Sequence, residues 1–196
     1  MNRHATDVRL RAERRFTQSN GENAMTTDTT AAEENLMDWL RDAHAMEEQA
    51  ETMLTSMAGR IDHYRDLKRR IEQHIEETRE QARLIRGCIE RRGGSVSTMK
   101  DVGAKTMAWV QGLAGMFASD EIVKGGMASY TFEHFEIAAY RNLIEAARFV
   151  GDRETMTICE RILPEEQAMA AWLEHNMAGV VRTYLARDET DAPAKR

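Results

Sequence analysis

Proline is nearly missing from this chain, with two residues, Pro164 and Pro193, in 196. Scarcity of helix breakers permits long helices, and a composition rich in Ala, Glu, Arg and Met favours them. Cysteine is just as scarce. Cys88 and Cys159 lie far apart, with no CxxC and no Cys/His cluster around either. That excludes a disulfide-stapled scaffold and a thiolate zinc site, and reads as two reduced, buried thiols of a cytoplasmic protein. No apolar run approaches the roughly 20 residues that span a bilayer, so no membrane segment is expected. Positive charge is not in excess either. The net charge of −6 weighs against a nucleic-acid partner. What remains, 42% hydrophobic and 31% charged residues, suits one mostly helical domain with tails.

Residues 1–31 read as a disordered N-terminal tail. Five arginines stand among the first 15 residues without an apolar stretch, which rules out a secretory signal. Asp7 and Glu13 dilute an organelle address, and Met25 offers a plainer start to a polar leader. Residues 187–196 read as a disordered C-terminal tail. The domain between them spans 32–186.

Four long amphipathic segments fill that domain. The first runs from about Ala32 to Met57, with Thr29 or Thr30 near its N-cap and Gly59 after it. Its inward stripe is Leu36, Leu40, Ala43, Glu47, Ala50, Leu54 and Met57. The second, about Asp62 to Arg92, has the stripe Leu67, Ile71, His74, Thr78, Gln81, Ile85 and Cys88, and Gly93-Gly94 stops it. Glu77 lies one turn from both His74 and Gln81, so the three share a face. Residues 95–119 are too long for a simple loop, and Met99, Met107, Trp109, Val110, Leu113, Met116 and Phe117 suggest a short helix inside it. A crossover of that length lets the third helix run parallel to the second.

The third helix, about Asp120 to Phe149, carries the stripe Ile122, Gly126, Ser129, Glu133, Glu136, Tyr140, Leu143, Ala147 and Val150. Gly151-Asp152 makes a tight reversal, with Asp152 as N-cap. The fourth runs from about Asp152 to Leu185, and Pro164 should kink or split it. Its stripe of Cys159, Ile162, Glu166, Met169, Leu173, Asn176 and Val180 turns Glu166 inward.

Each stripe is apolar at its ends and polar near its middle. Mid-helix positions of a bundle converge on one level whichever way the helices run. Glu47, His74, Glu77, Glu133, Glu136 and Glu166 can therefore meet. A single inward Glu is more often a boundary residue reaching solvent, and a lone His more often a hydrogen-bonded core residue. Tyr140 and Trp172 read as packing residues. Four interrupted stripes at one level are a different matter. Five carboxylates and one imidazole form a hard donor set suited to two adjacent iron or manganese ions, whose charge they nearly balance. Without metal they would repel one another and several would take up protons.

Four blocks stand in order along these helices: Glu47-Glu48-Gln49, His74-Ile75-Glu76-Glu77-Thr78 with Gln81, Glu133-His134-Phe135-Glu136-Ile137-Ala138-Ala139-Tyr140, and Glu165-Glu166. Together they resemble the YciE/YciF family of bacterial ferritin-like proteins. The resemblance covers about residues 33–178. It implies an all-α, ferritin-like four-helix bundle with an extra crossover helix, a di-metal site, dimerisation and a link to stress responses. The broader di-iron pattern places Glu on two helices and Glu-x-x-His on the other two. Here the second helix reads His-x-x-Glu, the third Glu-x-x-Glu, and His175 falls about 180° round the fourth helix from Glu166.

The expectation is a cytoplasmic, homodimeric di-iron or di-manganese protein that binds Fe(II) and oxidises it with oxygen or peroxide. Glu77 and Glu166 are expected to bridge the ions, with Glu47, Glu133, Glu136 and His74 as terminal ligands. The rival is a metal-free structural bundle that dimerises or binds a stress partner through Met-rich faces.

Overall fold

A computed structural model of the chain describes residues 29–96 and 121–190. Four helices make up the bundle, all within the unit Ala31–Arg196. They are α1 (Ala31–Ala58), α2 (Arg65–Arg91), α3 (Glu121–Val150) and α4 (Arg153–Asp188). Among the described residues there is no strand, and no helix is long and apolar enough to cross a membrane. The tail 1–28 and the helix expected within 97–119 lie outside the described residues.

Two apolar clusters set the helix directions. At one end Leu36 and Leu40 of early α1 pack with Ile85 and Ile89 of late α2, Leu143 and Ala147 of late α3, and Ile162 of early α4. At the other end Leu54 and Met57 of late α1 meet Leu67 and Ile71 of early α2, Ile122 of early α3, and Met169 and Leu173 of late α4. So α1 and α4 run one way while α2 and α3 run the other. The parallel α2 and α3 match the connectivity that a long crossover requires. Each fully buried aliphatic side chain contributes roughly 1.5–3 kcal/mol. These two clusters clamp the polar layer from both sides.

Turn chemistry explains the boundaries. Gly93 (φ 76°) and Gly151 (φ 77°) adopt the left-handed conformation that ends α2 and α3. Asp152 then caps α4, its carboxylate accepting from the Thr155 amide. The same carboxylate accepts from Arg91 at 2.6 Å and Arg92 at 2.8 Å, which ties the end of α2 to the start of α4.

Three expectations need adjusting. α2 begins at Arg65 rather than Asp62, because Ile61 and Tyr64 turn into the core and hold the preceding segment in a bend. α4 is one unbroken helix despite Pro164, and it extends to Asp188, past the expected start of the tail. Its stripe is fully buried only as far as Leu173; Asn176 and Val180 are half-buried. Beyond that level α2 has not yet begun, so among the described residues the inner face of α4 is covered less completely.

Candidate metal centre

Between the two apolar clusters every helix turns a polar side chain inward. Glu47 from α1, His74 from α2, Glu133 and Glu136 from α3, and Glu166 from α4 are each at most 1% exposed. The helical period dictates this, since each lies on a stripe whose outer positions are apolar and carry the whole face inward. One ligand atom from each of His74, Glu133, Glu136 and Glu166 lies within 4.8 Å of all the others.

The imidazole of His74 organises the cluster. Its Nε2 stands 3.1 Å from Glu133 and 3.5 Å from Glu166, while Nδ1 is 2.7 Å from Glu77 Oε2. Glu47 stands in the same buried layer, where its Oε1 accepts a hydrogen bond from the Tyr140 hydroxyl. Glu77 is different. It is partly exposed, and it also accepts from Arg70 at 3.1 Å and Gln73 at 2.8 Å. The ring of His74 separates its carboxylate from the gathered donors. A bridging position for Glu77 does not fit this arrangement, because its oxygens are engaged on the outer side.

Burial governs the protonation of the layer. It raises the Glu133 carboxyl to about 7, against the pull of His74. Glu136 is pushed well above the carboxylate range by burial, then by Glu166, Glu47 and Glu133. Glu47 rises likewise from burial and from Glu166, and the Tyr140 hydrogen bond offsets this only in part. Burial alone would lower His74, but Glu133, Glu166 and Glu77 together hold it well above its ordinary value. Burial would raise Glu77, yet His74 and Arg70 keep it below the usual range. Tyr140 is raised well above its usual value by burial and the nearby Glu47.

The donor set fits a divalent cation. Three carboxylate oxygens in this layer, Glu47 Oε2, Glu136 Oε2 and Glu166 Oε1, are buried without a partner, and Glu133 Oε2 and Glu166 Oε2 have only the His74 ring beside them. Each such atom costs about 1–3 kcal/mol, more for a charged group, unless something positive meets it. Carboxylate oxygens with a single imidazole nitrogen favour iron or manganese over softer thiolate-seeking ions.

Of the six residues anticipated from sequence, four gather directly, Glu47 joins through its layer and its Tyr140 contact, and Glu77 stands outside. His175 is exposed and hydrogen-bonds the carbonyl of Ala171 in its own helix, far from the layer. Tyr140, anticipated only as packing, has a polar role through Glu47. Its place on the α3 stripe, one turn past Glu136, was the signal. Gln81 is buried too, donating to Glu165 at 2.9 Å.

Comparison with known proteins agrees with this fold. Residues 31–186 match the family model described as "Domain of unknown function (DUF892)". A solved structure from Xanthomonas campestris pv. campestris is 44% identical, covering 81% of this chain and 99% of its own, with a TM-score of 0.69. The E. coli stress protein YciF is 21% identical over 76% of this chain and 98% of its own, with a TM-score of 0.68. A dodecameric thioferritin, the bacterioferritin-related protein from Bacteroides fragilis, is 18% identical over 82% of this chain and 94% of its own, with a TM-score of 0.63. The chain therefore belongs to the DUF892 family and has the ferritin-like fold of the YciE/YciF proteins that its motifs resemble.

Proposed function

We propose that this protein holds two iron or manganese ions per chain in the buried layer and uses them in Fe(II) and peroxide redox chemistry under stress. The observation that carries the reading is the set of buried carboxylate oxygens around His74, three of them without any partner. Glu47, Glu133, Glu136 and Glu166 bring four negative charges when ionised, which two divalent ions neutralise.

Both oxygens of Glu166 are buried at the centre of the layer, Oε1 without a partner and Oε2 with only the His74 ring beside it, so its carboxylate would be the one shared between the ions. His74 offers Nε2, and Glu77 on Nδ1 fixes the ring's tautomer and orientation as carboxylates do behind ligating histidines. Tyr140 holds one oxygen of Glu47 and leaves the other to ligate. Glu133 and Glu136, one turn apart on α3, would each offer an oxygen beside Glu166. A bound pair of such ions supplies one-electron redox steps and open positions for an oxidant. The apolar clusters above and below exclude bulk water from these groups.

A stress role and self-association, as a cytoplasmic homodimer, belong to the same proposal. The E. coli neighbour is described as a stress protein and the Bacteroides neighbour as dodecameric, which supports both. A metal-free dimerising bundle draws support from the exposed Trp39, Phe135 and Phe149. Scattered exposed apolar side chains are common, however, and that reading leaves the orphaned oxygens unexplained.

Metal analysis of protein purified without chelators tests the proposal. About two equivalents of iron or manganese per chain are expected. No metal, even after anaerobic Fe(II) loading, would overturn it.

A further inference from the structure

Gln81 carries a buried oxygen that the ligand set above does not use. The side chain is 0% exposed. Its Nε2 donates to Glu165 Oε2 at 2.9 Å, and its Oε1 has no partner. The amide cannot simply be reversed, because Oε1 would then face a carboxylate. Glu165 is half-buried at the edge of α4, so the bond anchors the nitrogen outward and turns the oxygen away from that edge.

The register places this oxygen. His74 of α2 meets Glu133 of α3 at 3.1 Å, and the two helices run parallel. Gln81 and Tyr140 each stand seven residues further along their helices, so they occupy the same level. At that level the Tyr140 hydroxyl reaches Glu47. His74 thus marks one side of the layer, and Glu47, Tyr140 and Gln81 mark the other. The His74 side has an imidazole; the Glu47 side, with Glu136 and the shared Glu166, has only oxygens.

We infer that Gln81 is a further ligand of the centre, its amide oxygen serving the ion on the Glu47 side, with Glu165 as the residue that positions it. The inference rests on the proposed two-ion reading. A neutral amide oxygen there adds a hard donor without adding a fifth charge to the four that two divalent ions balance. The two ions consequently bind with different affinities: the His74 side first, and the all-oxygen side second with the help of Gln81.

Equilibrium dialysis against anaerobic Fe(II), with metal counted per chain, tests this. Gln81→Met keeps the length and removes the oxygen. It should weaken the second ion about 10-fold or more and leave the first within about twofold. Glu165→Ala should weaken the second ion less, and Glu165→Gln, which can still accept from the amide, should restore it. If Gln81→Met unfolds, Glu165→Ala decides the matter: with the anchor of the amide gone the second ion should weaken and the first should not. Unchanged binding of both ions by Gln81→Met, or by Glu165→Ala where Gln81→Met unfolds, overturns the role of Gln81 and leaves the metal centre standing. Absence of Fe(II) binding by the unaltered protein defeats the two-ion reading instead.

Discussion

Glu77 faces His74 from behind: its carboxylate lies 2.7 Å from Nδ1, while Nε2 on the other side of the ring meets Glu133 and Glu166. One residue expected of α2 at the centre is therefore an outer partner to another. Arg70 and Gln73 hold that partner in place.

The two glutamates consequently differ in what their loss does. Glu136→Ala removes a buried donor and should abolish tight metal binding. Glu77→Ala should weaken it by about 10–100-fold, as loss of an outer histidine partner does. Glu48→Ala, at an exposed position, should leave affinity unchanged. Isothermal titration of the three variants with Mn(II) checks the order, and equal losses in all three would contradict it.

Tyr140→Phe deletes the only hydrogen bond that the buried Glu47 carboxylate makes among the described residues. The apo protein should lose about 1–3 kcal/mol, the cost of a buried acceptor left unsatisfied. The metal-loaded protein should lose less, because a cation can meet the freed oxygen. Denaturant melts with and without metal measure the difference.

Asp152 fastens α2 to α4 away from the metal layer. Burial would raise its carboxyl, but Arg91, Thr155 and Arg92 hold it down at about 2. Asp152→Ala removes a helix cap and two charged hydrogen bonds, at a cost of about 2–4 kcal/mol. The loss should be the same with and without metal. In the unaltered protein its contribution is fully present above the unfolded value near 3.9 and fades as pH falls through about 2.

Apo and loaded protein should respond to pH in opposite senses. Glu133, at about 7, and the raised Glu47, Glu136 and His74 bind more protons folded than unfolded in the apo state. Their stabilising contribution is fully present below the unfolded values, about 4.3 for Glu and 6.5 for His, and is lost as pH rises through the folded values. Apo stability should therefore rise on going from pH 7.5 to 5. Metal competes with protons for the same atoms, so loaded protein should lose stability over that range. Paired thermal melts decide; parallel curves would show that the carboxylates are not ligands.

Much of this was legible in the sequence because burial follows period. Leu36, Leu40, Glu47 and Leu54 recur on one face of α1, and burial of the apolar members carries Glu47 inward with them. The parallel course of α2 and α3 was legible from the length of chain between them. Side-chain direction beyond Cβ was not. Glu77 and Glu133 both neighbour His74, and only three-dimensional packing distinguishes the Nδ1 side from the Nε2 side. The continuity of α4 through Pro164 was also beyond local rules; Ile162 and Glu166 on either side of the proline are both fully buried. Likewise, nothing local reveals that Ile61 and Tyr64 delay the start of α2.

Anomalous diffraction from crystals loaded with Mn(II) tests the central claim most directly. Two peaks about 3.5–4 Å apart should appear in the buried layer, both beside Glu166, with His74 Nε2 on one and Glu47 on the other. No peak in that layer, or manganese only at surface carboxylates, would contradict the account.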